Sequence, residues 1–322
     1  MRFRFKKNDL YIFCIAALVA TLGAGCASEV KLSSQKKALQ KKVEEYQAEV
    51  EIGRNMAGRL LTYYGTYGDR STVEYLNKVG NYIGTYSDAP ERRYMFAILD
   101  TEAVNAFACP GGYILITLGA LKKIKTEAEL AAILGHEVAH VGRRHMFDTL
   151  RSMDEKERTD QAKELDSRKK NEKGKPYSMR VRKRPDAEKS ATGDKLARYL
   201  SGSSGTGLSL LQAASAGMSV ILEKGLDQKL EYEADQLGVK YAIRAGYEPK
   251  GMLHFLQRLE QGKKHTKLKT LEKTHPTVIN RQRKIVKLLR SMKAHQMVGA
   301  IGKERYQQFY KVLPQSRKNT KI

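Results

Sequence analysis

Cysteine is scarce in this chain: three in 322 residues, at Cys14, Cys26 and Cys109. The first two belong to an N-terminal apolar segment and its end, which leaves Cys109 alone and excludes an internal disulfide framework. Long apolar runs are missing as well. Leu10 to about Gly25 is uncharged and apolar but short for a transmembrane span, and the Ser/Gly/Ala-rich run Gly207 to Leu222 is also too short to cross a bilayer unaided. No pairing of helical segments repeats, which excludes a tandem-repeat domain. Acidic residues are outnumbered, 35 against 59 lysines and arginines, for a formal net charge of +24. In a cytosolic protein that surplus would point to nucleic acid, but the sequence carries no nucleic-acid-binding module. The 41% hydrophobic content and the length suit a globular chain with a substantial core.

The basic residues Arg2, Arg4, Lys6 and Lys7 precede the first apolar run, as an n-region precedes the h-region of an export signal. The run ends in Leu22-Gly23-Ala24-Gly25-Cys26, which resembles a bacterial lipobox, although Gly23 stands where leucine is commoner. That resemblance implies a signal peptide over 1–25 and lipid attachment at Cys26. It also implies a periplasm-facing place in the bacterial envelope. Ala27 and Ser28 bring no aspartate to mark inner-membrane retention, so the outer membrane is expected. An uncleaved signal anchor is the other reading, and it too places the chain outside the cytoplasm. There, the positive surplus would meet anionic headgroups or an acidic envelope polymer.

The chemistry is concentrated in His136-Glu137-Val138-Ala139-His140. Two histidines four residues apart share a helical face, so both imidazoles can converge on one metal ion, with Glu137 beside it to take a proton from water. Thr126 with Glu129 forms a potential capping box at the start of this helix. Leu130, Ile133, Leu134, Val138 and Val141 supply an apolar stripe at helical spacing, which predicts an amphipathic helix. A catalytic zinc ion takes three protein ligands and leaves a position for water. The third candidate lies in Glu231-Tyr232-Glu233-Ala234-Asp235, which opens a helix expected to run to about Ala245, with Gly246 and Pro249 beyond. Glu231 and Asp235 share a face and Glu233 points away. With Glu231 on the metal, Asp235 is placed to hydrogen-bond a ligand histidine and fix its tautomer. A solvated acidic helix face is the competing reading of these carboxylates. His145 falls one residue short of the longer histidine motif and, on a continuing helix, points away from His136 and His140. It is left out of the metal set with His254, His265 and His295.

Four segments in this order resemble the M48 family of zinc metallopeptidases, a gluzincin-type group. They are Gly135 to His140 followed by Arg144-His145, the E-x-x-A-D segment Glu231 to Asp235, the segment Asn105-Ala106-Phe107-Ala108-Cys109-Pro110-Gly111-Gly112, and Thr274-His275-Pro276 with Arg281. The resemblance spans roughly residues 50 to 290. It implies an α+β, zincin-like fold, mainly helical, with a small antiparallel sheet beside the active-site helix. It also implies one zinc ion held by His136, His140 and Glu231, and His275 with Arg281 near the oxyanion. The strand Asn105, Ala106, Phe107 and Ala108 would then pair with extended substrate. The residues themselves leave alternatives open: an ordinary core strand, a turn histidine before proline, and an arginine on a water-facing basic helix. Cys109 reads as a small buried thiol.

Short aromatic and aliphatic runs at Tyr94 to Leu99, Val104 to Ala108 and Tyr113 to Thr117 predict the strands, with Pro110-Gly111-Gly112 as the turn between the last two. The expected organisation is a signal peptide at 1–25, a helical lead-in at 26–86 and a peptidase domain at 87–290, followed by a basic tail at 291–322. Within the domain, about 154–206 forms a charged insertion, read as loosely ordered: a solvated loop, a lid or a basic arm. Gly207 to Leu222 is expected to pack as a helix beside the site. The function implied is zinc-dependent cleavage of extended or misfolded polypeptides in the cell envelope. The alternative is a latent or non-proteolytic assembly factor that holds its clients.

Overall fold

The computed structural model describes residues 7–68, 70–153, 156, 159, 160, 221, 225–261 and 275–313, with side chains from residue 35 onward. Lipid attachment at Cys26 and most of the charged insertion, with the expected helix at 207–222 apart from Ile221, lie outside the described side chains. The chain divides into two units, Met1–Glu49 and Val50–Ile322. The described part of the first is the beginning of helix α1 (Lys7–Tyr64). No helix among the described residues is long and apolar enough to cross a membrane.

The second unit continues from α1 through β1 (Thr66–Tyr67), α2 (Arg70–Thr85), β2 (Met95–Leu99), β3 (Ala106–Cys109) and β4 (Tyr113–Thr117). Helices α3 (Leu118–Lys123), α4 (Glu127–Gly142), α5 (Gln228–Arg244), α6 (Gly251–Gln261), α7 (Val278–Ser291) and α8 (Lys303–Val312) follow. The fold is the expected mainly helical α+β architecture, but the sheet is mixed and not antiparallel. Its order is β1-β2-β4-β3. β4 runs parallel to β2, pairing Met95 with Tyr113 through Leu99 with Thr117, and antiparallel to β3. The reason lies in β4 itself. Ile114, Leu115 and Ile116 are all buried, so this strand carries apolar residues on both faces and belongs in the middle of the sheet. The chain therefore passes from β2 to the far edge, forms β3, and turns back between them. The turn is at Pro110-Gly111-Gly112, where both glycines have positive φ (73° and 107°). A Cβ on Gly112 would sit 1.9 Å from the Arg93 carbonyl oxygen, so no other residue fits there.

Helix α4 begins as its sequence predicts, with Thr126 Oγ1 accepting from Glu129 N at 3.2 Å. The return bond is shifted: the Glu129 carboxylate accepts from Lys125 N and is clasped by Arg258. The expected amphipathic character gives way to burial on every side, since each residue from Glu127 to Val141 is buried. Small residues account for this. Ala128, Ala131, Ala132, Gly135 and Ala139 occupy the faces between the aliphatic stripe and admit α2, α5, α6 and β3. Closest is α5. A Cβ on Gly238 would lie 2.6 Å from His136 N, and one on Gly135 2.9 Å from Gly238 O, so the two backbones meet through this glycine pair. α5 ends at its Ala245 cap, and Gly246 follows at φ 82°, where the sequence placed the stop.

Residues 291–313, within the expected basic tail, contribute Tyr306, Phe309 and Leu313 to the main core. Arg305 of α8 forms a forked ion pair with Glu127 at the start of α4, and the Tyr75 and Tyr247 hydroxyls donate to the same carboxylate.

Candidate metal centre

One turn of α4 separates His136 from His140, and their Nε2 atoms face each other at 3.1 Å. The close crossing at Gly135 and Gly238 brings the first turn of α5 alongside. Glu231 Oε2 lies 3.6 Å from His136 Nε2, and Glu231 Oε1 lies 3.5 Å from His140 Nε2. These three side chains are buried and their ligand atoms fall within 4.8 Å of one another, the grouping among the described residues able to hold a metal ion. Burial drives the His140 pKa well below its usual value, which keeps a free lone pair on the ring. Burial alone would raise Glu231, but His275, His140 and His136 hold it far below the usual carboxylate range. A buried carboxylate facing two imidazole nitrogens is a donor set that suits a divalent metal ion.

A carboxylate stands behind His136. His136 Nδ1 lies 3.0 Å from Asp235 Oδ1, one turn after Glu231, as the spacing predicts. Burial works to lower the His136 pKa, but Asp235 outweighs it and lifts the ring above its ordinary value. Asp235 in turn accepts from Arg281 Nε at 2.9 Å and Nη2 at 2.6 Å. Arg281, expected beside His275 as a donor to the oxyanion, thus has its guanidinium engaged by Asp235, and it is buried where a water-facing helix position was the alternative.

His145 departs from its expected direction. α4 stops at Gly142, Arg144 adopts a left-handed conformation (φ 58°), and the backbone resumes a helix at 145. The kink carries His145 Nδ1 to 3.0 Å from His140 Nδ1. It stays outside the metal-ligating group, as expected, but as a neighbour of a ligand and not as a distant residue. The signal was present in the sequence: Gly142 is a natural helix terminator. Glu233 lies outside the group, on Arg143 Nε at 3.1 Å and His145 Nε2 at 3.6 Å. His254 and His295 are exposed and take no part, and His265 lies outside the described residues.

A cleft opens in front of this group. Asn105, Ala106, Phe107 and Ala108 line it from the sheet edge, and Glu137, His140, Glu231 and His275 line it from the helices. Met146, Ile221 and Leu226 complete an apolar wall. β3 is the terminal strand of the sheet order and, among the described residues, pairs only with β4. Thr117 Oγ1 donates to the Ala103 and Asn105 carbonyls and accepts from Asn105 N, which fixes the entry to β3. The Asn105 side chain accepts from Ala106 N at 2.9 Å. Glu137 is buried at the cleft floor, and burial, reinforced by Glu231, raises its pKa. His275 Nδ1 contacts Glu231 Oε2, and its ring centroid is 5.9 Å from that of His136. Cys109 is fully buried, and burial pushes its thiol pKa up, so it is inert.

Comparison with known proteins agrees with this geometry. The chain is 26% identical over 210 residues to a beta-barrel assembly-enhancing protease of Yersinia pestis, a match covering 65% of this chain and 37% of that protein. It is 23% identical over 232 residues to the protein of the same name from Escherichia coli K12, covering 71% and 41%. A mitochondrial metalloendopeptidase OMA1 of Schizosaccharomyces pombe is 32% identical over 90 residues, covering 26% and 27%. The chain thus spans less than half the length of these curated relatives. The model of peptidase family M48 matches residues 71–289, which takes in nearly all of α2, strands β2 to β4, both helices of the metal group and His275 with most of α7. By that match across most of its length, the chain belongs to peptidase family M48.

Proposed function

We propose that this protein is a zinc-dependent endopeptidase, with His136, His140 and Glu231 holding one zinc ion. The observation that carries the reading is the buried His-His-Glu group opening onto a cleft bounded by an edge strand. Bound there, zinc would act as a Lewis acid and lower the pKa of a water molecule. Glu137, on the cleft floor, would accept a proton there and return it to the leaving amine. Burial raises the pKa of this carboxyl, which strengthens it as a base. Asp235 orients His136, and Arg281 is a positioning residue that keeps Asp235 ionised in its buried place. His275 lines the cleft and serves as a donor to the carbonyl oxygen as negative charge develops.

The substrate in this reading is an extended polypeptide. It adds a strand beside Ala106 to Ala108, with main-chain hydrogen bonds supplying affinity independent of sequence. Phe107, Met146, Ile221 and Leu226 form the apolar side of the cleft, which favours an apolar side chain next to the scissile bond. We further place the protein on the periplasmic side of the bacterial envelope, anchored through lipid at Cys26 and acting on misfolded or unassembled envelope proteins. The export segment and lipobox-like residues support this, as do relatives whose name joins proteolysis to β-barrel assembly.

The test is cleavage of casein by the purified chain, zinc content verified, beside its Glu137→Gln variant. Cleavage by the parent protein alone supports the reading. Absence of cleavage by both, with zinc bound, would replace it with a client-holding assembly factor.

A further inference from the structure

Helix α7 uses its two faces differently. Arg281 is turned inward onto Asp235. On the outer side, Ile279, Gln282, Arg283, Val286, Lys287 and Arg290 recur at helical spacing, and with Leu253 and Gln257 of α6 they line a groove of about 590 Å³. Ile279 to Arg290 is a rise of roughly 16 Å along the helix axis, about three turns. Leu253 and Val286 are half-buried and Ile279 is 42% exposed, so the groove has an aliphatic floor open to solvent.

Charge in this groove has one sign. Arg283, Lys287 and Arg290 are exposed, and among the described residues none of them forms an ion pair and no carboxylate lines the groove. The sequence has no Asp or Glu between Glu272 and Glu304. A helix face that merely solvates itself interleaves both signs in ion pairs at one-turn spacing, and this one does not. A further observation concerns Gln282. Its Nε2 is buried, lines up with the groove residues and has no acceptor among the described residues. A buried donor without an acceptor is costly until a ligand supplies one.

We propose that this groove docks an acidic amphipathic helix of a partner polypeptide. Its apolar stripe lies on Leu253, Ile279 and Val286, and its carboxylates meet Arg283, Lys287 and Arg290. Three turns of groove match the i, i+4, i+7 anchors of helix-in-groove recognition. The rim cations steer the encounter and reject basic segments. An anionic bilayer is the competing occupant, and the vesicle arm of the experiment separates it from a peptide helix. The proposal is independent of the peptidase reading, since the groove shares no residue with the cleft.

The experiment uses the full chain in non-ionic detergent and a fluorescent synthetic helix with leucine at i, i+4, i+7 and i+11 flanked by glutamate. Anisotropy should show saturable binding that weakens as salt rises. Arg283→Glu/Lys287→Glu/Arg290→Glu should weaken it by on the order of tenfold or more. The glutamine triple variant should fall between, and circular dichroism checks that both fold. A second peptide with lysine in place of glutamate should not bind. Equal affinity of parent and charge-reversed protein, or of the two peptides, would overturn the proposal. So would binding to phosphatidylglycerol vesicles that the triple variant abolishes, with no binding of the glutamate peptide, which would assign the face to a membrane.

Discussion

Arg281→Met removes one partner of an ion pair that is buried on both sides, with side-chain exposures of 6% for Arg281 and 1% for Asp235. Asp235 loses two hydrogen bonds and its counter-ion while remaining within 3.0 Å of His136 Nδ1. An uncompensated buried carboxylate of this kind costs about 3–5 kcal/mol. Against a whole-domain stability of about 5–15 kcal/mol that is a large share. At about 2–4 °C per kcal/mol for a domain of this size, the midpoint should fall by roughly 6–20 °C. The measurement is urea and thermal unfolding followed by circular dichroism with chelator present, because a bound metal would add its own stabilisation. The Arg281→Met/Asp235→Asn double variant should regain much of the loss, since a neutral amide needs no cation, and the cycle should show coupling of about 2 kcal/mol or more. A single-variant cost below about 1 kcal/mol, or two additive effects, would refute the claim that Arg281 acts by keeping Asp235 ionised.

Four further outcomes follow from other contacts. Glu231→Ala should lose bound metal at equal protein concentration while Glu233→Ala retains it, measured by elemental analysis after gel filtration. Parity between the two would move the third ligand. Gly238→Ala drives a methyl to 2.6 Å from His136 N and should cost about 1–3 kcal/mol in urea unfolding and distort the metal group. Gly58→Ala, with nothing within 4 Å, should leave stability unchanged or improve it by up to about 1 kcal/mol. Burial would raise the Glu127 pKa, but Arg305, Tyr75 and Tyr247 outweigh it and hold it below the ordinary carboxylate value. A depressed carboxylate contributes stability that is complete above its unfolded value and lost as pH falls through its folded one. Glu127→Gln should therefore be less stable than the parent at neutral pH, with the gap closing as pH drops below about 4 in acid titration of the thermal midpoint.

The site was more legible in the sequence than the frame around it, and the reason is the range of the interactions. His136 with His140, and Glu231 with Asp235, each act within one helical turn, where spacing alone sets direction. Gly246 and the Pro110-Gly111-Gly112 turn are local for the same reason. The mixed sheet was not legible, because β2 and β4 align in parallel through pairing of residues distant along the chain, and short apolar runs carry no direction. The all-round burial of α4 was hidden behind its small residues, which a search for aliphatic stripes passes over. His145 was misdirected by assuming that a helix continues past Gly142. The pairing of Arg281 with Asp235 was not legible, because the two residues lie on different helices and 46 positions apart.

The first backbone donors of α4 find their acceptors in a late stretch of the chain: Glu127 N donates to Gly302 O, and Ala128 N to Ile301 O. Arg305 then neutralises the Glu127 carboxylate in the same turn. During synthesis the histidine-bearing helix is therefore made about 160 residues before the segment that seals its start. A chain synthesised as far as residue 300 holds His136, Glu137, His140 and Glu231 yet lacks the acceptors that seal the start of the helix presenting the two histidines. Closure of this helix start is thereby deferred until the segment around Gly302 has been made, so the two histidines reach their final frame late in synthesis.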